Sequence, residues 1–195
     1  MQELLFATHN RHKADEIEKL LAGAYRLLTL DEAGFSEEIV EDALTLEGNA
    51  LLKARFLFSK TGKPCFADDT GLEVVALGGA PGVHTARYAG EECNPDKNMD
   101  KLLDALKNAD ERGARFRTVV AYIDASGKEH LFEGVCEGEI ALSRHGGQGF
   151  GYDPVFAPKG FGGHTFAEMS MEDKNKISHR GRAVRLFVEY LKSLK

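Results

Sequence analysis

Short apolar runs and polar turns alternate along the first thirty residues. Residues 4–7 form a continuous apolar run, which predicts a buried strand. Apolar positions in 17–21 then recur at helical spacing among charged residues, and Gly23 is suited to end that helix. Residues 25–30 predict a second strand. The order strand, polar turn, helix, strand indicates an α/β protein.

The segment 45–60 carries a strong helix pattern. Thr45 can cap its start, and Gly62 with Pro64 can end it. Apolar residues cover much of its circumference, which predicts a helix covered on two sides. Lys53 lies among these apolar residues, and on this helix alone we favour a surface lysine whose ammonium reaches solvent.

The second half of the chain predicts both strands and helices. Strand-like runs occupy 72–77, 115–123 and 129–135, and residues 124–127 form a hairpin turn between the last two. Residues 138–143 can extend the last of these strands. A helix follows Asn94-Pro95 to about residue 107, and another ends the chain. Antiparallel pairing after strand–helix–strand units indicates a mixed sheet.

Composition narrows the class of protein. A length of 195 residues predicts one domain, or one domain with two lobes. The net charge of −6 argues against a general nucleic-acid or membrane-surface binder. Three widely spaced cysteines indicate reduced thiols in a cytoplasmic protein. We see no signal peptide and no apolar run near the ~18 residues of a membrane span.

Two adjacent carboxylates, Asp68 and Asp69, stand between the apolar runs 64–67 and 72–77. Because adjacent strand side chains point to opposite faces, the two acids cannot do the same job. Carboxylate oxygens suit Mg²⁺ together with waters and phosphates, and Thr70 adds a hydroxyl. An Asp-rich turn between strands is the alternative, and the pair alone favours neither interpretation.

The turn 8–13 lies at a strand end and a helix start, where backbone N–H groups favour an anion. Lys13 has the wrong sign for helix stability there, which favours phosphate binding over simple capping by Thr8 or Asn10. The segment 31–42 is acidic, and one of its acids could complete a metal site with the Asp pair.

Two glycine-rich stretches follow. Residues 78–90 predict a long irregular loop of the kind that is usually functional or at an interface. Residues 144–154 hold Phe150 and Tyr152 on flexible backbone, which suits either base stacking or packing into the core. The basic residues before the final helix again favour an anionic ligand, and they include Lys174, His179 and Arg180.

Taken together, these motifs resemble those of the inosine triphosphate pyrophosphatases, a family of enzymes that act on non-standard purine nucleoside triphosphates. The resemblance covers residues 4–190. The matching motifs are Thr8, Asn10 and Lys13; residues 67–72 with 78–82 and 86–88; residues 150–154; and Lys174 with residues 178–180. One departure is Gly48, which stands where a glutamate usually precedes the asparagine.

The resemblance implies hydrolysis between the α and β phosphorus atoms, which gives a nucleoside monophosphate and pyrophosphate. It implies a need for Mg²⁺ and a preference for 6-keto purines as in ITP, dITP and XTP. The implied fold is α/β, with a mixed, bent sheet, helices on both sides and two lobes around a central cleft. A homodimer is implied, with a small-molecule nucleoside triphosphate as the partner and neither nucleic acid polymer nor membrane.

The resemblance also implies roles for individual residues. Asp69 would activate the attacking water and, with Glu41, hold Mg²⁺; Glu41 keeps the family's distance from both flanking motifs. Phe150 would stack on the base. The triphosphate would be held by Thr8, Asn10, Lys13 and Lys53. The pocket for the base and sugar would be lined by Asp153, Lys174, His179 and Arg180. Further substrate contacts are assigned to Thr70, Gly151 and Tyr152.

Two alternatives stay open. The chain could be a pyrophosphatase for another modified nucleotide, because the stretch from 150 to 180 would set the choice of base. It could also be a nucleotide-binding module without turnover. The carboxylate at Asp69, together with the acidic segment, disfavours that second alternative.

Overall fold

A computed structural model describes residues 2–21 and 23–194. Its strands are β1 (Gln2–Phe6), β2 (Tyr25–Thr29), β3 (Cys65–Val74), β4 (Pro81–Gly82), β5 (Gly113–Ile123), β6 (Glu129–Ile140) and β7 (Phe156–Pro158). Its α-helices are α1 (Arg11–Leu21), α2 (Leu46–Thr61), α3 (Pro95–Ala105), α4 (Met171–Ile177) and α5 (His179–Ser193). Short 3₁₀ turns lie at Val75–Leu77, Thr85–Arg87 and Phe166–Glu168.

The strands form one mixed sheet, which confirms the α/β expectation. The order is β2-β1-β3-β5-β6-β7, and β4 pairs with β3 off this path. β1 pairs in parallel with both β2 and β3, whereas β3 with β4 and β6 with β7 are antiparallel. β1 ends at Phe6, which lies opposite Phe66, so Asp68 and Asp69 follow on β3 just beyond the carboxyl end of β1. Open α/β sheets bind ligands at such strand ends.

Two compact units share the chain. Unit 1 comprises Met1–Asp69, Thr118–Gly134 and Arg180–Lys195, and unit 2 comprises Thr70–Arg117 and Val135–His179. β3, β5 and β6 each contribute residues to both units. The cleft implied by the family resemblance stays a prediction.

The core of unit 1 has helices on both faces of its strands. On one face the rings of Phe6 and Phe66 stack at 4.4 Å, and Phe187 of α5 lies 5.1 Å from Phe66. On the other face the thiol of Cys65 donates to the carbonyl of Ala54 in α2. Cys65 and Phe66 are adjacent on β3, so their side chains reach opposite faces. α1 and α5 therefore cover one face and α2 covers the other.

The ends of α2 follow the sequence signals. The Thr45 side chain accepts from Gly48 N, and Gly62 adopts the left-handed conformation with φ of 61° as the C-terminal cap. The departure at Gly48 has a steric reason, because a Cβ there would lie 2.7 Å from the Ala43 Cβ. A larger residue at position 48 would displace the segment that precedes the helix.

In unit 2, the loop 81–90 is fixed by side chains from three elements. Thr85 Oγ1 accepts from Leu72 N of β3 at 2.8 Å, and Tyr152 donates its hydroxyl to the Thr85 carbonyl at 2.8 Å. Asn98 of α3 accepts from Ala89 N and donates to the carbonyl at position 86. The predicted irregular loop is thus held by side-chain hydrogen bonds at several points.

The structure corrects several boundaries. The Asp pair lies inside β3 and not at a junction, and residues 75–77 form a 3₁₀ turn instead of strand. β3 continues through Gly71 because Leu72 and Val74 are fully buried and Leu72 N is bonded to Thr85. β6 runs to Ile140 and pairs there with β7, which confirms the predicted extension beyond residue 135 as far as residue 140. None of the described helices is long and apolar enough to span a membrane.

We predict that Asn98→Ala destabilises the protein by about 1–3 kcal/mol, because it leaves two backbone groups of the loop unpaired at a site where Asn98 is 3% exposed. The free energy of unfolding in urea measures this change. Asn108→Ala is the control, since Asn108 is exposed. Equal stability of the two variants would contradict a structural role for Asn98.

Candidate functional site

The turn between β1 and α1 is organised by its own side chains. Thr8 Oγ1 accepts from Asn10 N at 3.1 Å, and Asn10 Oδ1 accepts from Lys13 N at 3.2 Å. Asn10 thus caps α1, which was the structural alternative in the sequence interpretation. Lys13 points to β3, where its Nζ lies 3.0 Å from Asp68 Oδ1. A positive side chain and the start of a helix therefore meet at the end of β1.

Asp68 is the centre of a buried ionic cluster in unit 1. Its Oδ1 accepts from Lys13, and its Oδ2 accepts from Arg180 Nε at 3.2 Å. Arg180 also donates to Glu16 of α1. Burial alone would raise the pKa of Asp68, but Lys13, Arg180 and Lys53 outweigh it and hold that pKa far below its usual range. Asp68 is consequently an anion at neutral pH, and its two oxygens bind Lys13 and Arg180.

Asp69, the next residue on β3, has a different environment. Its Oδ1 lies 3.4 Å from Lys53 Nζ, and its buried Oδ2 has no hydrogen-bond partner among the described residues. Burial raises the pKa of Asp69, and Lys53 and Lys13 offset this only in part. A buried carboxylate oxygen without a partner is costly, so this atom fits an incoming cation or a proton.

Lys13, whose side chain is 15% exposed, and Lys53, whose side chain is 8% exposed, differ in the charges that surround them. Burial lowers the pKa of Lys13, because the attraction of Asp68 is opposed by Lys53 and Arg180. Burial would also lower the pKa of Lys53, but Asp69 and Glu41 outweigh it and raise that pKa. Lys53 Nζ lies 2.8 Å from Glu41 Oε2, so the solvent-reaching lysine favoured from the helix alone is wrong.

Glu41 and Asp69 are brought together at the ammonium of Lys53. Glu41 is 38% exposed and lies on an irregular segment, whereas Asp69 is held in a strand. Among residues 2–21 and 23–194, no group of three His, Cys, Asp or Glu side chains is placed to hold a metal by itself. Two carboxylates fit a hard cation that takes its remaining ligands from waters and phosphates.

Unit 2 contains a second buried pair among aromatic rings. Lys174 Nζ lies 2.7 Å from Asp153 Oδ2, and both residues are almost fully buried. The ammonium also faces the rings of Phe150 at 5.0 Å and Phe166 at 5.5 Å. Asp153 Oδ2 accepts from Phe150 N at 2.8 Å, so the pair fixes the backbone that carries this half-buried ring.

His179 and Tyr152 are buried members of the same unit. His179 stacks on Phe116 of β5 at 4.4 Å, and the Tyr152 hydroxyl is bonded to Thr85. Tyr152 therefore packs into the core, whereas Phe150 stays half-buried. Gly151 adopts φ of 62°, the left-handed conformation that lets the chain turn between these two aromatic residues.

The predicted site residues fall into two groups. Unit 1 brings together Lys13, Glu41, Lys53, Asp69 and Arg180, with Thr8 and Asn10 in the turn. Unit 2 contains Thr70, Phe150, Gly151, Tyr152, Asp153, Lys174 and His179. Arg180 was assigned to the base and sugar, and its described partners are Asp68 and Glu16.

Sequence reasoning missed three contributors. Glu16 looked like one charge of an ordinary amphipathic helix, yet it is 3% exposed and bound to Arg180. Phe116 and Phe166 received no assignment from the sequence; Phe116 stacks on His179, and the Phe166 ring faces Lys174. Glu16 could have been suspected from its place in the apolar helical stripe with Ile17. The two phenylalanines gave no such signal.

Comparison with known proteins gives consistent matches over nearly the whole chain. A model of the Ham1 family matches residues 4–190. A dITP/XTP pyrophosphatase of Porphyromonas gingivalis is 56% identical over 194 residues, covering 98% of each chain. A dITP/XTP pyrophosphatase of Flavobacterium psychrophilum is 48% identical, covering 98% of this chain and 100% of the relative.

Solved structures agree with these sequence matches. The Ham1 protein of Staphylococcus aureus superimposes with a TM-score of 0.89 at 36% identity and full coverage of both chains. A HAM1 protein of Coxiella burnetii gives 0.88 at 37% identity, covering 99% of this chain and 100% of the other. The fold and the sequence therefore point to the same family.

We predict that Asp68→Asn lowers the free energy of unfolding by about 3–5 kcal/mol, because it leaves Lys13 and Arg180 buried without their counter-ion. Urea denaturation near neutral pH measures the loss. Because the folded pKa of Asp68 is lowered, its contribution is complete above the ordinary carboxyl pKa and is lost as the pH falls through the folded value.

The control is Asp110→Asn, since Asp110 is exposed and carries no described ion pair. The difference in the free energy of unfolding between Asp68→Asn and the wild type should narrow only in strong acid, where Asp68 becomes protonated. Wild-type stability of Asp68→Asn at neutral pH would rule out the structural role of this cluster.

Proposed function

Because the chain belongs to the Ham1 family, we propose that it is an enzyme that hydrolyses non-standard purine nucleoside triphosphates. The substrates proposed are dITP, XTP and ITP, and the products are the monophosphate and pyrophosphate. Relatives named dITP/XTP pyrophosphatase support this choice. The observation that carries the proposal is Asp69, a buried carboxylate with one unpartnered oxygen beside Lys53 and Glu41.

Asp69 is proposed to activate the attacking water. A general base works best when its pKa is near the operating pH, and burial raises the pKa of Asp69 in that direction. Its Oδ2 is available to accept the proton of the water. Asp68, with a lowered pKa and both oxygens engaged by cations, is unsuited to this task. The two neighbouring acids therefore have different functions.

Mg²⁺ is proposed to be held by Asp69 and Glu41 together with oxygens of the triphosphate. When bound, this ion would neutralise charge on the phosphate oxygens and fix their position. The two carboxylates, brought together at Lys53, fit a hard cation that prefers oxygen ligands. Lys53, which contacts both acids, lies where its ammonium can also meet a phosphate.

The remaining residues are proposed to contact either the triphosphate or the rest of the substrate. Thr8, Asn10, Lys13 and Lys53 are proposed to bind the triphosphate. Phe150 is proposed to stack on the base, with Thr70, Gly151, Tyr152, Asp153, Lys174, His179 and Arg180 completing the substrate contacts. The half-buried ring of Phe150 supports stacking. The contacts of Arg180 and Tyr152 support, in addition, a part in positioning Asp68 and the loop 81–90.

We further propose a cytoplasmic homodimer that clears non-standard nucleotides from the cellular pool. The direct test of the activity is pyrophosphate release from dITP, XTP, ITP, dATP, dGTP and modified pyrimidine triphosphates, with and without Mg²⁺. Rapid release from dITP, XTP and ITP with Mg²⁺ is expected. Preference for a pyrimidine, or binding of nucleotide without release, would overturn the proposal.

Asp69→Asn should lower turnover of dITP roughly a hundredfold to ten-thousandfold, because it removes the proton acceptor and one metal ligand. The side-chain shape is kept, so the melting temperature should stay near that of the wild type. Steady-state pyrophosphate release and thermal unfolding measure the two quantities. Asp68→Asn is the matched comparison, because its principal loss should be in stability and not in turnover. Near-normal turnover by Asp69→Asn would refute the assignment.

Phe150→Ala should raise the KM for dITP about tenfold, since stacking on an aromatic ring contributes ~1–3 kcal/mol per base. Inhibition by inorganic tripolyphosphate should be unchanged, because that ligand has no base. Phe161→Ala is the control, as Phe161 is an exposed phenylalanine of the same unit. Equal weakening of dITP and tripolyphosphate would show that Phe150 acts on the phosphates or on the fold.

A further inference from the structure

His9, in the turn after β1, contacts the acidic segment 31–42 at two places. Its Nδ1 lies 2.7 Å from Asp31 Oδ1, and its Nε2 lies 3.2 Å from the carbonyl oxygen of Glu37. Carbonyl oxygens and ionised carboxylates accept hydrogen bonds and cannot donate them. Both ring nitrogens must therefore donate to satisfy this geometry. Only the imidazolium form of histidine has two donors.

The acidic segment depends on such contacts for its position. Residues 35–44 contain neither helix nor strand, and most of them are exposed. Lys60 pairs with the Glu37 carboxylate at 2.9 Å, and Ala43 N donates to Asn49 Oδ1 at 3.0 Å. The His9 contact at the Glu37 carbonyl lies four residues before Glu41. It joins the segment that carries Glu41 to the turn that carries Thr8 and Lys13.

We propose that His9, as the imidazolium ion, is a positioning residue that holds the acidic segment against the turn and keeps Glu41 in place for the metal–nucleotide complex. The inference rests on the proposed role of Glu41. His9 itself need not touch the substrate. Its effect should appear in the concentration of Mg²⁺ that the enzyme requires, and much less in turnover at saturating Mg²⁺.

The contact should weaken as the pH rises. Burial is the largest single effect on His9 and lowers its pKa, but the bonds to Asp31 and to the Glu37 carbonyl and the charges of Asp31 and Glu38 together outweigh it and raise that pKa. The carboxylate of Glu37 faces Lys60 instead. Because the folded pKa is raised, the contact is complete below the ordinary histidine pKa and is lost as the pH passes through the raised value.

The test is His9→Gln, which keeps one amide donor but carries no charge and does not titrate. At about pH 6 the variant should need about threefold to tenfold more Mg²⁺ for half-maximal dITP hydrolysis, a modest effect because His9 and Asp31 are both exposed. At about pH 9, where the wild type has also lost the imidazolium, the two should converge. The turnover number at saturating Mg²⁺ should be unchanged.

The control is His164→Gln, since His164 is exposed and lies in unit 2. It should match the wild type at both pH values. A His9→Gln effect on the Mg²⁺ requirement that is absent, or that is the same size at both pH values, would overturn the proposal. A loss confined to turnover would overturn it as well.

A second measurement separates this proposal from the proposed function. Amide hydrogen exchange across residues 31–44, compared between wild type and His9→Gln without nucleotide, should be faster in the variant at about pH 6 and equal at about pH 8.5. If the wild type hydrolyses no triphosphate, the proposed function fails, and the exchange difference still decides the role of His9. If hydrolysis requires Mg²⁺ but exchange is identical in the two proteins, the role of His9 fails alone.

Discussion

The buried charge of Asp68 is the interaction on which the arrangement of unit 1 depends. One carboxylate on β3 holds Lys13 from the turn after β1 and Arg180 from the start of α5, and Arg180 in turn holds Glu16. Charges this deeply buried are tolerated only when each is paired, so the three segments cannot move independently. Lys13 and Arg180 are thereby fixed at Asp68, the residue next to Asp69 on β3.

The alternation of side chains along β3 places Asp68 and Asp69 in different surroundings. Asp68 and Asp69 are consecutive residues of β3, so their side chains reach opposite faces. The first meets cations that lower its pKa, and the second meets burial that raises its pKa. A single backbone segment thus supplies both a permanent counter-ion and a carboxylate suited to accept a proton. Thr70 and Leu72, which follow them, continue the strand into unit 2.

Unit 2 also contains a buried ion pair, and aromatic rings lie next to it. Lys174 and Asp153 are paired in the interior, and the rings of Phe150 and Phe166 face the ammonium. Gly149 permits this arrangement, because a Cβ on it would collide with the Asp153 carboxylate. Asp153 of this pair accepts a hydrogen bond from the amide of Phe150, so the backbone that carries this half-buried ring is anchored within the glycine-rich stretch.

The sequence by itself determined the α/β class, the caps of α2 and the residue types of the site. These follow from local chemistry: hydrophobic period, capping side chains and the spacing of charged residues. It also indicated that Asp68 and Asp69 must differ, since strand alternation is a local rule.

Only the tertiary structure decided which acid is the counter-ion, because that depends on which cations the fold brings near each one. Lys53 looked like a surface lysine on its helix, and Glu16 looked like an ordinary helix charge. Both are buried against partners 12 or more residues away in sequence. Burial and pairing are properties of elements packed together, and no pattern within one element records them.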